Sequence, residues 1–292
     1  MSVRWGVLAL LAWACCIAPA WAAVEVTDDT GRVVRLDEPA QRIVSLAPHI
    51  TEMVFAAGAG DRIVATVSSA DHPEAARDLP RIGGYDRFDI ERILEVEPDL
   101  IIGWQSGNPQ GSLERLQRLG LTLYISEPRS LEAIAVALER YGRLAGTPEP
   151  GARAAADYRE RLHALRARYA DRAPVEMFYE VWNDPLMTVN GEHLISDVIR
   201  GCGGRNIFAD LSSIAPRIST EAVLERDPAV IVASGTGADR PEWLDAWKEW
   251  PELRAVASDH LYFIHPDHIQ RHTPRILKGM RKLCRQLERA RS

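Results

Sequence analysis

Residues 91–110 read ERILEVEPDLIIGWQSGNPQ, and this stretch decides the fold. Its apolar spacing predicts a short helix that ends before Pro98, and residues 100–102 then predict a buried strand. The strand leads into a loop that contains Trp104 and Asn108. In an open α/β sheet, loops that leave the carboxyl ends of strands face the ligand crevice. We therefore expect this indole and this amide to lie in a binding crevice.

The same pattern recurs in the second half of the chain. The stretch that begins at Glu221 reads EAVLERDPAVIVASGTG, and its glutamates, proline, apolar strand and glycine align with those of the first stretch. A helix, a proline, a buried strand and a glycine-bearing loop that occur twice predict two similar α/β lobes. Each lobe is expected to direct one loop at a shared cleft.

Composition and charge limit the classes of function. The chain has 292 residues, of which 46% are hydrophobic and 26% are charged, as in soluble globular proteins long enough for two cores. Its net charge of −6 and its pI near 5.8 provide no basic face for a phosphate backbone. Nucleic acid is therefore not an expected partner.

Residues 1–22 differ in character from the rest of the chain. Arg4 precedes an apolar run that is too short to span a bilayer, and Ala20 and Ala22 supply small residues at the −3 and −1 positions of a cleavage site. The pattern predicts a secretory signal peptide that is cleaved after Ala22. An alternative is a lipoprotein signal in which Cys15 or Cys16 is acylated.

Two cysteines, Cys202 and Cys284, remain in the exported chain. Because export leads to an oxidising compartment, a disulfide between them is the first hypothesis. Two buried thiols are the alternative. Neither cysteine lies in a CxxC pattern or beside a paired histidine, so the sequence argues against a metal site at these residues.

The distribution of strand and helix patterns predicts the domain organisation. After the signal, a hairpin and alternating strands and helices form an N-terminal lobe over residues 23–147, and a second such series forms a C-terminal lobe over residues 173–292. Between them, residues 148–172 are dense in Ala, Arg, Leu and Glu and predict one long connecting helix. The expected fold class is α/β, with the ligand cleft between the lobes. A helical connector predicts a modest closing motion.

Catalytic motifs are missing from the sequence. It contains no GxSxG elbow, HExxH pair, Walker loop or GxGxxG after a strand. Five histidines on predicted loops could meet as metal ligands, although each is equally suited to a solvated hydrogen bond: His49, His72, His265, His268 and His272. We expect a binding protein without enzymatic activity, and a metal-dependent hydrolase is the alternative from another class.

Aromatic and polar residues stand where strands are predicted to end. They are Tyr85, Trp104, Trp182 and Asp267. Such residues suit a large flat ligand, because an indole face offers wide apolar contact at little entropic cost. Asn108, Asp267 and Arg271 could bond amides or carboxylates at the ligand's edge. The alternative for each residue is packing at the root of its loop.

The chain resembles class III periplasmic substrate-binding proteins of ABC importers, and among them the cobalamin-binding BtuF family. Motifs shared by the whole class are RIVSLAP at residues 42–48 and the PDL at residues 98–100. More specific are Trp104 with SGN at residues 106–108, CGGRNIF at residues 202–208 and DHIQRHTPR at residues 267–275. The likeness covers nearly the whole chain after the signal.

This resemblance implies a periplasmic protein, expected as a monomer without a cofactor, that binds cobalamin and delivers it to an inner-membrane permease. The expected ligand contacts are Pro48, Tyr85, Trp104, Asn108, Trp182, Asp267, His268, Ile269, Gln270 and Arg271. The family's disulfide maps onto Cys202 and Cys284. Its permease-docking glutamates map onto Glu91 and Glu221, although an acidic residue in a first helical turn also suits the helix dipole.

Two positions depart from the resembled family. Ala70 stands where that family has a cleft tyrosine, and Tyr85 stands where it has a tryptophan. Haem capture by the same fold is the nearest alternative, because GYDR at residues 84–87 resembles the loop whose tyrosine ligates iron in haem-binding relatives. Ferric-siderophore binding is a further alternative, for which Arg87 and Arg271 are the evident cleft arginines.

Overall fold

Two parallel four-stranded sheets form the frame of the protein, seen in a computed structural model that describes residues 23–235, 237 and 239–292. The predicted signal peptide, with Cys15 and Cys16, lies outside the described residues. Among the helices of the described part of the chain, none is long and apolar enough to cross a membrane.

The N-terminal lobe opens with the predicted hairpin, which is antiparallel and joins β1 (Val24–Thr27) to β2 (Val33–Leu36). Its parallel sheet has the spatial order β4 (Ile63–Thr66), β3 (Ile43–Ser45), β5 (Leu100–Trp104) and β6 (Leu123–Ser126). The helices of this lobe are α1 (Pro48–Ala56), α2 (Ile90–Glu95), α3 (Gln110–Arg118) and α4 (Leu131–Leu144). Two 3₁₀ segments, Gly60–Arg62 and Glu74–Asp78, complete it.

The C-terminal lobe follows the long helix α5 (Pro148–Tyr169). Its parallel sheet has the order β10 (Gly204–Asn206), β7 (Val175–Glu180), β11 (Val230–Ala233) and β12 (Leu261–Phe263). A small antiparallel hairpin joins β8 (Trp182–Asn183) to β9 (Leu186–Met187). The helices are α6 (Leu194–Gly201), α7 (Thr220–Arg226), α8 (Arg254–Ala257) and α9 (Ile276–Arg289), with 3₁₀ segments at Glu242–Glu249 and Pro266–His268.

The repeat in the sequence is a repeat of topology. Taken along the chain, β3, β4, β5 and β6 occupy the same places in the first sheet as β7, β10, β11 and β12 occupy in the second. Strand β5 begins at Leu100 and β11 begins at Val230, and each follows a short helix, α2 or α7. The prediction of two similar α/β lobes is confirmed.

Helix α5 links the lobes and packs against both of them. It lies along α4 of the first lobe and contacts α6 and α9 of the second. Close approach to α4 requires glycine, because a Cβ on Gly151 would lie 2.7 Å from the carbonyl oxygen of Leu138. A helix of 22 residues extends about 33 Å and is stiff over that length. The packing of both lobes on one rigid element favours small relative motions over wide hinge movement.

The predicted disulfide is present. Cys202, at the end of α6, is bonded to Cys284 in α9, and both residues are buried. The bond closes a loop of 82 residues within the C-terminal lobe. In the chain-entropy model, a loop of this length stabilises the folded state by about 4–5 kcal/mol.

The tryptophans near residue 247 pack in the C-terminal core, in and beside a 3₁₀ segment. Residues three apart eclipse one another in a 3₁₀ helix, which sets the rings of Trp247 and Trp250 5.6 Å apart. The Trp247 ring also packs edge-on against Phe178, with ring centroids 5.7 Å apart. Packing, rather than ligand stacking, accounts for these indoles.

Candidate functional site

A cavity of about 290 Å³ lies between the two lobes, where strands of both sheets end. The N-terminal lobe contributes Trp104, Ser106, Glu127, Pro128 and Arg129 to its lining. The C-terminal lobe contributes Val181, Val189, His193, Leu194, Ile195, Ile214, Ala215, Gln270 and His272. Most of this surface is apolar, as in small-molecule binding sites.

The loop that carries Trp104 is held in shape by Asn108. The Asn108 side chain accepts a hydrogen bond from the Trp104 main-chain N–H at 2.6 Å and donates to the carbonyl oxygens of Leu46 at 2.9 Å and Tyr85 at 2.8 Å. Only 6% of Asn108 is exposed, and both of its amide hydrogens are used. Asn108 therefore positions the indole, and its expected ligand contact stays a prediction.

Gly107 allows the same loop to close over the indole. A Cβ at Gly107 would lie 1.9 Å from a ring carbon of Trp104, so a larger residue there would displace the ring. Tyr85 stands beside this indole, with ring centroids 5.8 Å apart, and 41% of it is exposed. Tyr85 lies outside the cavity lining, next to it on the N-terminal lobe.

Three histidine rings gather beside Trp104. The ring centroid of His49 lies 4.9 Å from that of Trp104 and 5.4 Å from that of His272, and His193 lies 6.2 Å from His272. Burial lowers the pKa of His49 to about 3 and that of His193 to about 4, and it lowers the pKa of His272 well below 6.5. The three imidazoles are therefore neutral at pH 7.

Polar atoms in this group lack partners among the described residues. They are Nε2 of His49, Nδ1 of His272 and Nε1 of Trp104, all of them buried. His193 differs, because its Nδ1 accepts a hydrogen bond of 3.1 Å from the Ile195 main-chain N–H and so caps α6. This assigns its ring proton to Nε2. Sequence reasoning missed His193 as a site residue, although its place at a helix start was a usable signal.

The five loop histidines do not converge on one point. His49 pairs with His272, and His265 pairs with His268 at a ring distance of 5.3 Å. Within residues 23–235, 237 and 239–292, no group of three or more His, Cys, Asp or Glu side chains is arranged to hold a metal ion.

Ion pairs join the two lobes beside the histidines. Arg271 bonds Asp71 of the opposite lobe at 2.6 Å and Asp267 of its own loop at 2.9 Å. Arg275 bonds Glu52 of the opposite lobe through two contacts of 2.7 and 2.8 Å, and both side chains are largely buried. The charge of Arg271 is therefore already paired with two carboxylates before any ligand binds.

Of the other residues in the loop after β12, one packs in the core and one lines the cavity. Ile269 is fully buried in the core, and its side chain does not line the cavity. Gln270 lines the cavity, and its amide donates to Ser234 Oγ at 2.5 Å. His268 lies beside His265, outside the lining, and burial lowers its pKa.

Two further expected contacts, Pro48 and Trp182, are not among the residues that line the cavity. Pro48 is the first residue of α1 and precedes the buried His49. At the end of β7 the cavity is lined by Val181 and not by Trp182, because successive residues of an extended chain point to opposite sides. The indole N–H of Trp182 instead donates to the carbonyl oxygen of Asp184 at 2.7 Å.

The sequence matches the family described as periplasmic binding protein over residues 43–268. This chain belongs to the periplasmic binding protein family. A vitamin B12-binding protein of Vibrio cholerae serotype O1 is 40% identical to it over 250 residues, which cover 86% of this chain and 90% of the relative. A vitamin B12-binding protein of Yersinia pestis is 36% identical over 250 residues, covering 86% and 87%.

Solved structures agree with this assignment. The crystal structure of the periplasmic vitamin B12 binding protein BtuF of Vibrio cholerae is similar with a TM-score of 0.79 at 40% identity, covering 86% of this chain and 98% of that one. The periplasmic heme-binding protein RhuT from Roseiflexus sp. RS-1, in its apo form, is similar with a TM-score of 0.76 at 26% identity, covering 87% and 100%. The resemblance drawn from the sequence is confirmed.

In this periplasmic binding protein, the two repeated glutamates lie on corresponding helices. Glu91 is in the first turn of α2 and Glu221 is in the first turn of α7, and both are exposed. Hydrogen bonds from its own main chain and from Ser219 lower the pKa of Glu221. Each helix start thus presents a glutamate side chain to solvent.

Proposed function

We propose that this chain captures cobalamin in the cleft between its lobes and delivers it to an ABC importer of the inner membrane. The observation that supports this most strongly is the aromatic and mostly apolar cavity beside Trp104, in a chain 40% identical to a vitamin B12-binding protein. The protein acts by binding alone and needs no cofactor. We infer that the signal peptide over residues 1–22 directs it to the periplasm.

The charges around the cleft favour an uncharged ligand edge. The guanidinium groups of Arg271 and Arg275 are neutralised by the carboxylates of Asp71, Asp267 and Glu52. A corrinoid presents neutral amides around its ring, whereas haem presents two carboxylates that need unpaired cations. At the edge of the cleft near Arg271 and Arg275, this pairing favours cobalamin over haem and over acidic ferric siderophores. Arg129, in the cavity lining, has no ion pair among the described residues.

Titration of the purified chain from residue 23 onward with cyanocobalamin and, separately, with hemin tests the ligand. We expect calorimetric binding of cyanocobalamin at one site. Trp104→Ala should weaken it by about ten- to a hundredfold, because the variant removes a large aromatic contact area. A hemin complex whose absorption spectrum is lost in Tyr85→Phe would overturn the assignment in favour of haem.

Docking to the permease is assigned to Glu91 and Glu221. They are exposed, lie at the starts of corresponding helices and carry the same charge on both lobes. Paired anions of this kind suit arginines on two equivalent halves of a permease. The double variant Glu91→Lys, Glu221→Lys should abolish transport into reconstituted vesicles while cobalamin affinity stays unchanged. Loss of affinity in that variant would argue against a docking role.

A further inference from the structure

The outer face of the last helix, α9, is uniformly basic. The five positions fall within about 100° of the helix circumference and extend over about 17 Å of its length. Every residue of α9 that is exposed to solvent is a lysine or an arginine, and together they are here called the basic stripe: Lys278, Arg281, Lys282, Arg285 and Arg289. The net charge of −6, from which no basic face is expected, conceals the stripe because the remainder of the chain is correspondingly more acidic.

Carboxylates of the chain do not neutralise the stripe. In the part of the chain that the structure describes, none of its five side chains forms an ion pair, and the one acidic residue of α9, Glu288, instead pairs with Arg172 and Arg291 at 3.7 and 3.5 Å. The exposed side of α5 differs, since cations and carboxylates alternate there and pair at a spacing of four residues, as Arg153 does with Glu149. The stripe is therefore a local excess of positive charge.

The stripe is unfavourable for the helix that contains it. Like charges three or four residues apart repel on a helix surface, and every member of the stripe has such a neighbour. The helix dipole favours a cation in the last turn, such as Arg289, but it disfavours Lys278 in the first turn. The buried face of α9 and the bond between Cys202 and Cys284 hold the helix in place against this repulsion. This arrangement indicates a counter-charge outside the chain.

The surroundings of the stripe lie apart from the cleft. No residue of the stripe lines the cavity. Beside the stripe is β12, the outer strand of its sheet, where Lys282 Nζ lies 5.5 Å from the ring centroid of Phe263. Burial raises the pKa of Tyr262, which Arg289 partly offsets and Asp259 reinforces. Both rings are partly exposed, and aromatic rings beside cations are typical of the headgroup region of a membrane.

We propose that the basic stripe adsorbs the protein to an anionic phospholipid surface, that of the membrane in which the importer lies. A straight row of cations suits a plane of phosphates, whose attraction requires no matching pocket. A specific protein interface depends on a few buried anchors, many of them aromatic, whereas α9 exposes no large apolar side chain. The acidic remainder of the chain is repelled by such a surface, so the stripe is the face that adsorbs.

Adsorption would keep the loaded protein close to its importer. This consequence rests on the proposed function, because it requires export to the compartment that faces that membrane. The adsorption itself does not depend on cobalamin, and the stripe is distinct from the exposed glutamates assigned to docking.

Sedimentation of the purified chain from residue 23 onward with lipid vesicles tests the inference. The vesicles consist of equimolar phosphatidylglycerol and phosphatidylcholine, or of phosphatidylcholine alone. At low salt we expect binding to the anionic vesicles to be at least about tenfold stronger than to the neutral ones. Binding should weaken as salt is raised to about 0.15 M, where charges are screened beyond about 8 Å. Equal binding to both kinds of vesicle would overturn the inference.

A triple variant in the middle of the stripe tests whether the stripe is the contact. Arg281→Gln, Lys282→Gln, Arg285→Gln should weaken binding to the anionic vesicles by about ten- to a hundredfold, because each cation near such a surface contributes a factor of about five. Glutamine has a helix propensity close to that of lysine and arginine, so α9 is expected to form in the variant.

The matched control removes the same charge from exposed positions on other helices. It is the triple variant Arg115→Gln, Arg118→Gln, Arg153→Gln on α3 and α5, and it should bind the anionic vesicles within about twofold of the unmodified chain. Equal weakening in the two triple variants would show that only the net charge matters, and the inference would be wrong.

Further outcomes separate a membrane from a protein partner and from the proposed function. If the stripe variant binds anionic vesicles like the unmodified chain but delivers less cobalamin to the importer in neutral vesicles, the stripe contacts an acidic protein surface and the inference is wrong. Cyanocobalamin affinity in solution should be the same for both variants and the unmodified chain, because none of the changed residues lines the cavity. Failure of adsorption therefore leaves cobalamin capture standing, whereas failure of the unmodified chain to bind cyanocobalamin overturns the proposed function alone.

Discussion

The two lobes share one sheet order, but the loops that wall their common cleft are held in different ways. In the N-terminal lobe, the loop with Trp104 is fixed within its own lobe by the buried amide of Asn108. In the C-terminal lobe, the loop after β12 is tied by Arg271 and Arg275 to carboxylates of the opposite lobe. The side of the cleft formed by the Trp104 loop, here called the first wall, is therefore preformed. The side formed by the C-terminal lobe, here called the second wall, depends on how the two lobes are placed relative to each other.

The largest expected effect on stability concerns the ion pair between Arg275 and Glu52. Arg275→Met should lower the free energy of unfolding by about 3–5 kcal/mol, because Glu52 would be left as a buried charge without its partner. Urea denaturation at pH 7 measures this loss. The control is Arg118→Met on α3, where the guanidinium is exposed and a change below about 0.5 kcal/mol is expected. A small loss in Arg275→Met would mean that the second wall does not depend on this pair.

The preformed wall is tested at Asn108. Asn108→Ala should lower the free energy of unfolding by about 2–4 kcal/mol, because it removes three hydrogen bonds to the main chain of Trp104, Leu46 and Tyr85, of which the one to Leu46 is fully buried. It should also weaken ligand binding, since the indole loses its support. Asn183→Ala in the exposed β8 is the control and should leave both quantities unchanged. Full stability of Asn108→Ala would show that the loop keeps its shape by other contacts.

The preformed wall is also the part of the site that was predictable from sequence. Trp104 stands at the end of a strand within a motif that recurs from Glu221 onward, so periodicity and repetition point to its position. The disulfide was predictable for a similar reason, because an exported chain leaves only Cys202 and Cys284 to pair. A single sequence shows where strands end from its local pattern, and it shows a repeated topology from a motif that occurs twice.

Apart from Gln270, the contacts that the C-terminal lobe contributes to the cleft were not predictable, for three physical reasons. Ile214 and Ala215 reach the cavity from an irregular segment without a strand or helix period. Side chains of an extended chain alternate between two faces, so a shift of one residue in the register decides whether Val181 or Trp182 faces the cavity. The pairing of Arg271 with Asp71 joins residues 200 positions apart and depends on the relative placement of two lobes.

The lobes also differ at the carboxyl ends of two equivalent strands. Strand β3 ends at Ser45, whose hydroxyl lies 2.8 Å from that of Thr51, whereas β7, in the same place of the second sheet, ends at Glu180. Glu180 is buried and accepts a hydrogen bond of 2.8 Å from the Trp247 indole N–H. Burial raises the pKa of Glu180 to about 8, only partly offset by that hydrogen bond.

The raised pKa of Glu180 makes stability depend on pH. Between pH 4.5 and about 8 the folded state keeps a proton that the unfolded state releases, so this residue's contribution to stability falls as pH rises through that window. Glu180→Gln keeps an acceptor for Trp247 and removes the ionisation. We expect it to stabilise the protein at pH 8.5 by about 4 kcal/mol relative to its effect at pH 4.5, measured by urea denaturation. An equal effect at both pH values would show that the carboxyl group ionises normally.

The smallest expected effect on stability concerns the partly exposed ion pair between Arg271 and Asp71. Asp71 is half exposed, and Arg271 keeps Asp267 as a partner when Asp71 is changed, so Asp71→Asn should alter the free energy of unfolding by less than about 1 kcal/mol. The same change removes a contact that must break when the lobes separate to admit a ligand. We therefore expect cyanocobalamin affinity to rise by up to about fivefold, the factor that corresponds to such an energy. This gain should shrink as salt is added, because the lost attraction is between partly exposed charges. A fall in affinity would mean instead that Asp71 itself bonds the ligand, and the second wall would then be built for contact with the ligand rather than for closure against the first.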